Sequence, residues 1–274
     1  MHLLQYRELV RRALDEDLAQ GDKTTDSIFS DEQGKAEIIS RENGIIAGLP
    51  VAAEVFSQVM DARFIAHFTD GDAIGAGDCV ATVEGRVASI LKGERVALNF
   101  MQRLSGIATQ TASAVRLVAG TRARIVDTRK TTPGLRILEK YAVRAGGGEN
   151  HRFNLGDMVM IKDNHIKGAG SITQAVKKVR KNTGFTVKIE VEAAGLQDVA
   201  EALACEVDII MLDNMTVAEM AQAVSKVRGR ALTEASGGIT ESQLQDVAQT
   251  GVDLISLGYL THSYRSFDLS LKLL

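Results

Sequence analysis

The sequence predicts an α/β protein built in two parts, an N-terminal α+β unit followed by a β/α barrel. Two observations support this fold class. Beyond about residue 105, short continuous apolar runs alternate with helix-length amphipathic segments, which is the pattern of a parallel sheet covered by helices. Before that point, short strands and single helices follow one another without this rhythm, as in an α+β unit.

Composition excludes several classes of function. The chain has 274 residues, enough for one large domain or two modest ones, and its 45% hydrophobic and 24% charged residues are ordinary for a globular protein. The net charge of -3 argues against nucleic-acid binding through bulk charge. No apolar run approaches the roughly 20 residues of a membrane span, and the polar N-terminus is unlike a signal peptide. We therefore expect a cytoplasmic protein with no nucleic-acid or membrane partner, in which Cys79 and Cys205 are reduced, buried thiols.

The N-terminal elements follow from periodicity and turn residues. Helices are expected at residues 3–18, 50–59 and 87–104. Strand character is expected at residues 35–46, and further strands at residues 63–67 and 79–83. Pro50 suits the first turn of the second helix. The third helix carries Arg95 and Arg103, and an Arg on such a helix is more often solvated or salt-bridged than a ligand.

The C-terminal part contains six expected strands and at least three well-capped helices. The strands are expected at residues 124–126, 158–161, 187–191, 207–212, 231–233 and 252–257. A capping box is predicted at three helix starts, namely Ser171 with Gln174, Thr216 with Glu219, and Thr240 with Gln243. The even spacing of the later strands favours a β/α barrel over an open doubly wound sheet, and no GxGxxG motif follows any strand.

Polar or small residues lie at or just past the end of each of these strands, on the side where the chemistry of β/α barrels collects. They are Asp127 to Lys130, Lys162 and Asp163, Glu190 and Glu192, Asp213 and Asn214, Glu234 with Ser236 to Gly238, and Ser256 to Gly258. A single acid after a strand is usually a helix cap or a loop residue. Six consecutive strands that end this way favour a binding site, with cations on the early strands, acids in the middle and small residues on the late strands.

Cationic side chains and glycines are concentrated between the first of these strands and the end of the second. The cations are Arg129, Lys130, His151, Arg152 and Lys162, and a triple glycine precedes the histidine. Arg forks hold carboxylate or phosphate, and glycines let backbone N–H groups approach an anion. Because the net charge of the chain is slightly negative, this local cluster predicts a pocket for a small, multiply anionic ligand.

The other strand ends predict two further subsites. Backbone N–H groups of the small residues could bind a phosphate monoester, at Ser236, Gly237, Gly238 and Gly258. Glu192 and Asp213 could hold a hard divalent cation, through waters as Mg²⁺ prefers. A phosphate, a metal and a second anion on one edge indicate transfer chemistry on a phosphorylated sugar.

Longer motifs contain these residues. They are Asp127-Thr-Arg-Lys-Thr-Thr-Pro-Gly-Leu-Arg136, Glu139-Lys-Tyr-Ala-Val-Arg144, Gly146-Gly-Gly-Glu-Asn-His-Arg152, Ile161-Lys-Asp-Asn-His-Ile166, Leu212-Asp-Asn214 and Glu234-Ala-Ser-Gly-Gly-Ile239. Together they resemble the quinolinate phosphoribosyltransferase family, and the likeness extends over nearly the whole chain. The resemblance implies that quinolinate and 5-phosphoribosyl-1-diphosphate react, with Mg²⁺, to nicotinate mononucleotide, diphosphate and carbon dioxide in de novo NAD biosynthesis.

The resemblance also implies an architecture. An N-terminal α/β sandwich domain is expected at residues 1–104, with the tail 264–274 packed on it, followed by an incomplete TIM-like β/α barrel at 105–263. Members of the family form homodimers, and some form larger assemblies such as hexamers. One subunit's N-terminal domain closes the partner's barrel, so Arg95 is expected to reach the partner's site.

The family's functional residues carry over residue by residue. Arg129, Arg152, His151 and Lys162 would bind the quinolinate carboxylates, supported by Thr128 and Lys130. Glu192 and Asp213 would contact the ribose hydroxyls and the metal, and Ser236, Gly237, Gly238 and Gly258 would bind the 5-phosphate. The catalytic set would be Lys130, Lys162, Glu192 and Asp213. His262 either borders the phosphate or diphosphate or is structural, and His165 is expected to have a structural role.

Two alternatives remain open at this point. Lys162 at a strand end could form a Schiff base, as in barrel aldolases. The chain could also be a paralogue that binds an anionic ligand without catalysis. Such a paralogue is expected to lose parts of the Arg-Lys and Asn-His-Arg motifs, both of which are present here.

Overall fold

The structure, a computed structural model, describes residues 2–274. Within them lie helices α1 Arg7–Leu18, α2 Thr25–Ile28, α3 Leu49–Val59, α4 Val87–Leu117, α5 Arg136–Ala145, α6 Asp163–Ala169, α7 Ile172–Asn182, α8 Leu196–Ala204, α9 Val217–Val227, α10 Leu244–Gln249 and α11 Tyr259–His262. The strands are β1 Gln33–Ser40, β2 Gly44–Ile45, β3 Ala62–Ala66, β4 Ala73–Ile74, β5 Cys79–Arg86, β6 Arg124–Val126, β7 Val159–Ile161, β8 Ile189–Ala193, β9 Ile209–Asp213, β10 Leu232–Ser236, β11 Leu254–Ser256 and β12 Leu269–Leu273. None of the described helices combines the length and apolarity needed to span a membrane.

The first compact unit contains an antiparallel sheet with strand order β12-β1-β5-β3. It comprises the chain through Ala112, Thr131–Gly147 and Tyr259–Leu274. On β1, Ala36 and Ile38 have no exposed surface, because alternate side chains of this strand face the core. The C-terminal strand β12 pairs with β1, with Ala36 opposite Leu273, so the end of the chain completes this sheet.

The second compact unit comprises Ser113–Lys130 and Gly148–Gly258 and contains a six-stranded parallel sheet. The strand order is β6-β11-β10-β9-β8-β7. The central strand β9 is buried from Ile209 to Leu212, as expected for a parallel strand covered on both faces. The predicted fold class, an N-terminal sheet domain followed by a barrel-like parallel α/β domain, is confirmed.

Individual elements differ from the prediction mainly at their ends. The helix expected at 87–104 continues to Leu117 and has 31 residues, so the boundary predicted between residues 104 and 105 lies inside a helix. The N-terminal helix begins at Arg7, after a 3₁₀ turn at Leu3–Gln5. The Thr216 capping box forms at α9, the Thr240 box caps a 3₁₀ turn before α10, and Ser171 accepts the N–H of Gln174 at α7.

Candidate active site

The predicted site residues of the second unit lie along the carboxyl edge of its parallel sheet. In the strand register, Asp213 at the end of β9 lies opposite Ser236 at the end of β10. Glu192 near the end of β8 lies opposite Met211 of β9. Ser256 at the end of β11 lies opposite Val126 of β6. Because all six strands are parallel, the segments that follow them meet at one edge.

The loop after β6 is tied to the segment that carries His151. Glu149 forms an isolated bridge with Val126, and fully buried Asp127 accepts the backbone N–H of His151 at 2.8 Å. In the same loop, the Thr128 hydroxyl accepts the backbone N–H of Lys130 at 3.0 Å. These bonds bring the predicted cationic residues of two separate motifs to neighbouring positions.

Arg152 and Arg129 lie close enough for their charges to interact. Burial and the charge of Arg129 both lower the pKa of the Arg152 guanidinium. The Arg152 side chain is fixed by its own hydrogen bonds, to the Met158 carbonyl at 3.3 Å and to the Met160 sulfur at 3.4 Å. A second guanidinium near enough to lower this pKa favours the binding of an anion in their neighbourhood.

Lys162 is held by an ion pair at the start of α6. Its Nζ lies 3.0 Å from Oε2 of Glu192 on the neighbouring strand. Its backbone N–H donates to Nδ1 of His165 at 3.0 Å, which gives His165 the structural role of a helix cap. The ion pair positions an ammonium at the edge, which fits anion binding, whereas a Schiff-base lysine needs a free amine.

The late strands supply a glycine turn and the middle strands supply carboxylates. Gly237 and Gly238 follow β10 with φ of 95° and 58°, in the left-handed region that favours glycine. Ser236 and Asp213 are half-buried at the ends of adjacent strands. Together with Glu192, Asp213 offers the hard oxygen ligands that Mg²⁺ prefers, so the donor set fits this ion.

Two acids inside the sheet surround His151, a feature not predicted from the sequence. Nε2 of His151 lies 3.2 Å from a carboxylate oxygen of Glu190 and 3.2 Å from one of Glu234. Both glutamates are fully buried. Each was noted as a strand-end residue, but the informative signal was an acid in the middle of an apolar strand, since such an acid needs a partner.

His151, Glu190 and Glu234 form one buried cluster of ionisable groups. Its ligand atoms all lie within 4.8 Å of one another, a spacing that a metal could accept. However, Nδ1 of His151 accepts the backbone N–H of Arg152 at 2.8 Å, which directs the hydrogen of the neutral ring to Nε2, towards the acids. Burial lowers the pKa of His151, but the neighbouring carboxylates of Glu190 and Glu234 outweigh it and raise that pKa to about 10. Burial also raises the pKa of Glu190, so the groups of this cluster titrate together.

Two predicted site residues belong to the first unit. Arg95 is exposed on α4 and lines a cavity of about 410 Å³ together with Arg103 and Tyr264. His262 is exposed at the end of α11, where its Nδ1 lies 2.6 Å from the Ser263 hydroxyl.

Comparison with known proteins assigns this arrangement to a family. The quinolinate phosphoribosyl transferase N-terminal domain matches residues 22–105, and the corresponding C-terminal domain matches residues 107–272. A Bacillus subtilis protein named "Probable nicotinate-nucleotide pyrophosphorylase (carboxylating)" is 47% identical over 272 residues, which cover 99% of this chain and 94% of that one. The Mycobacterium leprae nicotinate-nucleotide pyrophosphorylase (carboxylating) is 42% identical over 275 residues, covering 97% and 96%.

Solved structures agree with the sequence comparison. The nicotinate-nucleotide pyrophosphorylase of Francisella tularensis has a TM-score of 0.97 and 40% identity, and the match covers 100% of this chain and 98% of that one. The Ehrlichia chaffeensis enzyme has a TM-score of 0.94 and 42% identity, with 98% of each chain covered. The chain belongs to the quinolinate phosphoribosyl transferase family.

Proposed function

We propose that the chain catalyses the decarboxylating phosphoribosyl transfer to quinolinate. Quinolinate and 5-phosphoribosyl-1-diphosphate would react to nicotinate mononucleotide, diphosphate and carbon dioxide, a step of NAD biosynthesis. The observation that carries the proposal is the meeting of Arg129, Arg152 and Lys162 with Glu192 and Asp213 along one edge of one sheet. A dianion and a phosphorylated sugar need such neighbouring subsites of opposite charge.

The cationic subsite would bind the two carboxylates of quinolinate. Arg129 and Arg152 supply planar guanidinium forks, and Lys162 supplies a point charge beside them. A ligand with one carboxylate, such as nicotinate, would leave part of this positive charge uncompensated. Because unpaired charges in a half-buried site are costly, the site should discriminate against the mono-acid.

The acidic subsite would bind the ribose and the metal, and the Ser236–Gly238 turn with Gly258 would bind the 5-phosphate. Glu192 and Asp213 would hold Mg²⁺, whose chemical contribution when bound is to offset charge on the diphosphate leaving group. The two carboxylates would also favour the positive charge that develops on the ribosyl ring as diphosphate leaves. Lys130, exposed in the loop after β6, would offer a further cation to the anionic substrates.

The remaining steps need mainly positioning. The pyridine nitrogen of quinolinate forms the bond to the anomeric carbon, which leaves the ring nitrogen cationic. That cation stabilises the carbanion formed when the adjacent carboxylate departs as carbon dioxide, and protonation of this carbon completes the product. Holding both substrates in line can supply much of the rate enhancement without a protein nucleophile.

We also propose that the chain acts as a homodimer, with hexamers as a larger alternative. Arg95 is exposed on α4 and therefore available to a second copy. In this arrangement it would reach the partner's dicarboxylate subsite, which would otherwise lack one cation. A cytoplasmic location fits the soluble substrates of this reaction.

The experiment that tests the function follows nicotinate mononucleotide by chromatography. Purified protein is incubated with phosphoribosyl diphosphate, Mg²⁺ and either quinolinate or nicotinate. We expect product from quinolinate and none from nicotinate, with one carbon dioxide released for each nucleotide formed. Product from nicotinate alone would contradict the dicarboxylate subsite, and no product from either acid would leave the ligand-binding paralogue as the better hypothesis.

A further inference from the structure

Asn214 contacts both Asp213 of the acidic subsite and the Ser236–Gly238 turn. It has no role in the reaction as proposed above. It follows Asp213 directly after β9, with an exposed side chain and a left-handed backbone, φ 53°. Asparagine is one of the few residues other than glycine that adopt this conformation routinely. The backbone there is therefore turned sharply, and the asparagine amide is directed back towards its neighbours.

The amide and the backbone of Asn214 each make one specific bond. Its Nδ2 donates to Oδ2 of Asp213 at 2.8 Å, which restricts rotation of that carboxylate. Its backbone N–H donates to the carbonyl of Ser236 at 3.0 Å, across to the neighbouring strand. One residue thus connects the acidic carboxylate to the strand that carries the glycine turn.

The glycine turn is also in direct contact with Asn214. A Cβ at position 237 would lie 2.5 Å from Cγ of Asn214 and 2.8 Å from its backbone nitrogen, closer than real side chains approach. Two features therefore require glycine at position 237. Its φ is 95°, and the turn packs directly against Asn214. A displacement of the Asn214 side chain would therefore also displace the backbone at Gly237.

We propose that Asn214 is a positioning residue that fixes the Asp213 carboxylate and the Ser236–Gly238 turn relative to each other. The inference rests on the proposed function, in which these groups bind the two ends of phosphoribosyl diphosphate. The cation and ribose would lie at Asp213, and the 5-phosphate would lie at the turn. A side chain that hydrogen-bonds to a ligand-binding carboxylate and orients it affects the affinity for the ligand, although it does not touch the ligand.

Two substitutions separate this role from a purely local backbone role. Asn214→Gly keeps the left-handed backbone without strain but removes the amide donor. Asn214→Asp keeps the shape and also tolerates the backbone, but it replaces the donor with a second negative charge beside Asp213. If asparagine were needed only for its backbone, the glycine variant would behave like the wild-type protein. Arg228→Gly is the matched control, since Arg228 at the end of α9 has φ 49° and is exposed.

The test is calorimetric titration of phosphoribosyl diphosphate with Mg²⁺ into protein saturated with benzene-1,2-dicarboxylate. This probe has the two carboxylates of quinolinate but no ring nitrogen, so no reaction occurs. We expect Asn214→Gly and Asn214→Asp to weaken phosphoribosyl diphosphate binding by about 10- to 100-fold, with the larger loss for the aspartate. Their affinity for benzene-1,2-dicarboxylate and their thermal unfolding midpoints should match those of the Arg228→Gly control.

Wild-type turnover of quinolinate, measured on the same preparation, separates the two claims. If the wild-type protein turns over quinolinate but Asn214→Gly binds phosphoribosyl diphosphate as tightly as Arg228→Gly, the positioning role is overturned and the function stands. Equal losses of affinity for phosphoribosyl diphosphate and for the dicarboxylate would also overturn it, because they would indicate general damage. A wild-type protein without turnover or phosphoribosyl diphosphate binding would overturn both claims.

Discussion

At the scale of single residues, the most consequential group is the buried cluster of His151, Glu190 and Glu234. The sequence shows a histidine after a triple glycine and two acids inside apolar strands, and each signal alone is ambiguous. Only the register of β8, β9 and β10 places both acids at the histidine Nε2. Spacing along the chain carries no information about this pairing, which is why the cluster could not be predicted. By contrast, Arg129 and Lys162 were noticed in the sequence because each comes shortly after an apolar run, and Arg152 because it comes shortly after a triple glycine.

Removing the histidine should destabilise the fold strongly. His151→Ala leaves Glu190 and Glu234 fully buried without the imidazole between them. We expect a loss of about 3–5 kcal/mol in the free energy of unfolding, as for other broken buried ion pairs. Urea denaturation measures it, and His262→Ala, which truncates an exposed histidine, should cost no more than about 0.5 kcal/mol. Equal urea midpoints for His151→Ala and His262→Ala would contradict a stabilising role for the buried cluster.

The same cluster should make stability depend on pH. The pKa of His151 is raised to about 10 in the folded protein, from 6.5 for an unperturbed histidine. For a raised pKa, the stabilisation is fully present below pH 6.5 and is lost as the pH rises towards 10. The unfolding free energy of the wild-type protein should therefore fall as the pH rises from 6.5 towards 10, with a limiting slope of about 1.4 kcal/mol per pH unit from this histidine. An unfolding free energy that stays constant over this range would show that the folded cluster takes up no extra proton.

At the scale of elements, the strands of the parallel sheet were predictable because each is a short apolar run with a marked end. The length of helix α4 could not be predicted in the same way. Ser105 and Gly106 resemble a helix stop, yet both lie inside the helix. Ser105 is buried, where its hydroxyl accepts the N–H of Ala47 and donates to the Ala47 carbonyl. A Cβ at Gly106 would collide with the carbonyl of Arg265, so this glycine serves close packing rather than a turn. Both reasons depend on segments distant in sequence.

Arg103 shows how α4 is joined to α5 and to the loop before it. Its guanidinium bonds to Glu139, which is fully buried, and to the hydroxyl of Thr132, and it lies 4.7 Å from the ring centre of Tyr264. The backbone N–H of Thr132 donates to the other oxygen of Glu139 at 3.0 Å. The expectation that a helix Arg is salt-bridged holds here, and the partner carboxylate fixes the segment Thr131–Pro133.

Truncating this arginine should cost far more than truncating an exposed one. Arg103→Ala leaves the Glu139 carboxylate buried with its charge uncompensated, so we expect a loss of about 3–5 kcal/mol in unfolding free energy. Arg116→Ala, an exposed change on the same helix, should lie within about 0.5 kcal/mol of wild type. Adding Glu139→Gln to Arg103→Ala removes the buried charge and should restore part of the loss. If the double variant is less stable than Arg103→Ala alone, the cost has another origin.

At the scale of the whole molecule, the net charge and the lack of a long apolar run argued against nucleic-acid and membrane partners, but the composition gave no indication of the reaction. The fold class followed from the alternation of strands and helices, and the family followed from the motifs at the strand ends. Assembly is the level at which the sequence is least informative, because Arg95 on a helix surface looks like any solvated arginine. The role proposed for it, in a second subunit's site, would be a property of a dimer rather than of the single chain.

Mixing two inactive variants tests that role. If Arg95 acts in the partner's site, Arg95→Ala and Arg152→Ala homodimers should both be nearly inactive. A mixed dimer has one site with both arginines intact, so random exchange of subunits should restore about a quarter of wild-type activity. Subunits are unfolded together, refolded and assayed for nicotinate mononucleotide. Mixing Arg95→Ala with itself is the control, and no recovery in the mixture would place Arg95 in its own subunit's site or outside any site.

The most direct test of the account compares kcat/KM for quinolinate in the wild-type protein, Arg129→Ala and Arg152→Ala. Both arginines are assigned to the carboxylates of the substrate, and losing one side of a close charge pair costs about 2–5 kcal/mol. We therefore expect each variant to lose at least about 30-fold in kcat/KM, with a thermal unfolding midpoint close to that of the wild-type protein. Near-normal turnover of quinolinate in both variants would contradict the assignment of Arg129 and Arg152 to the dicarboxylate site.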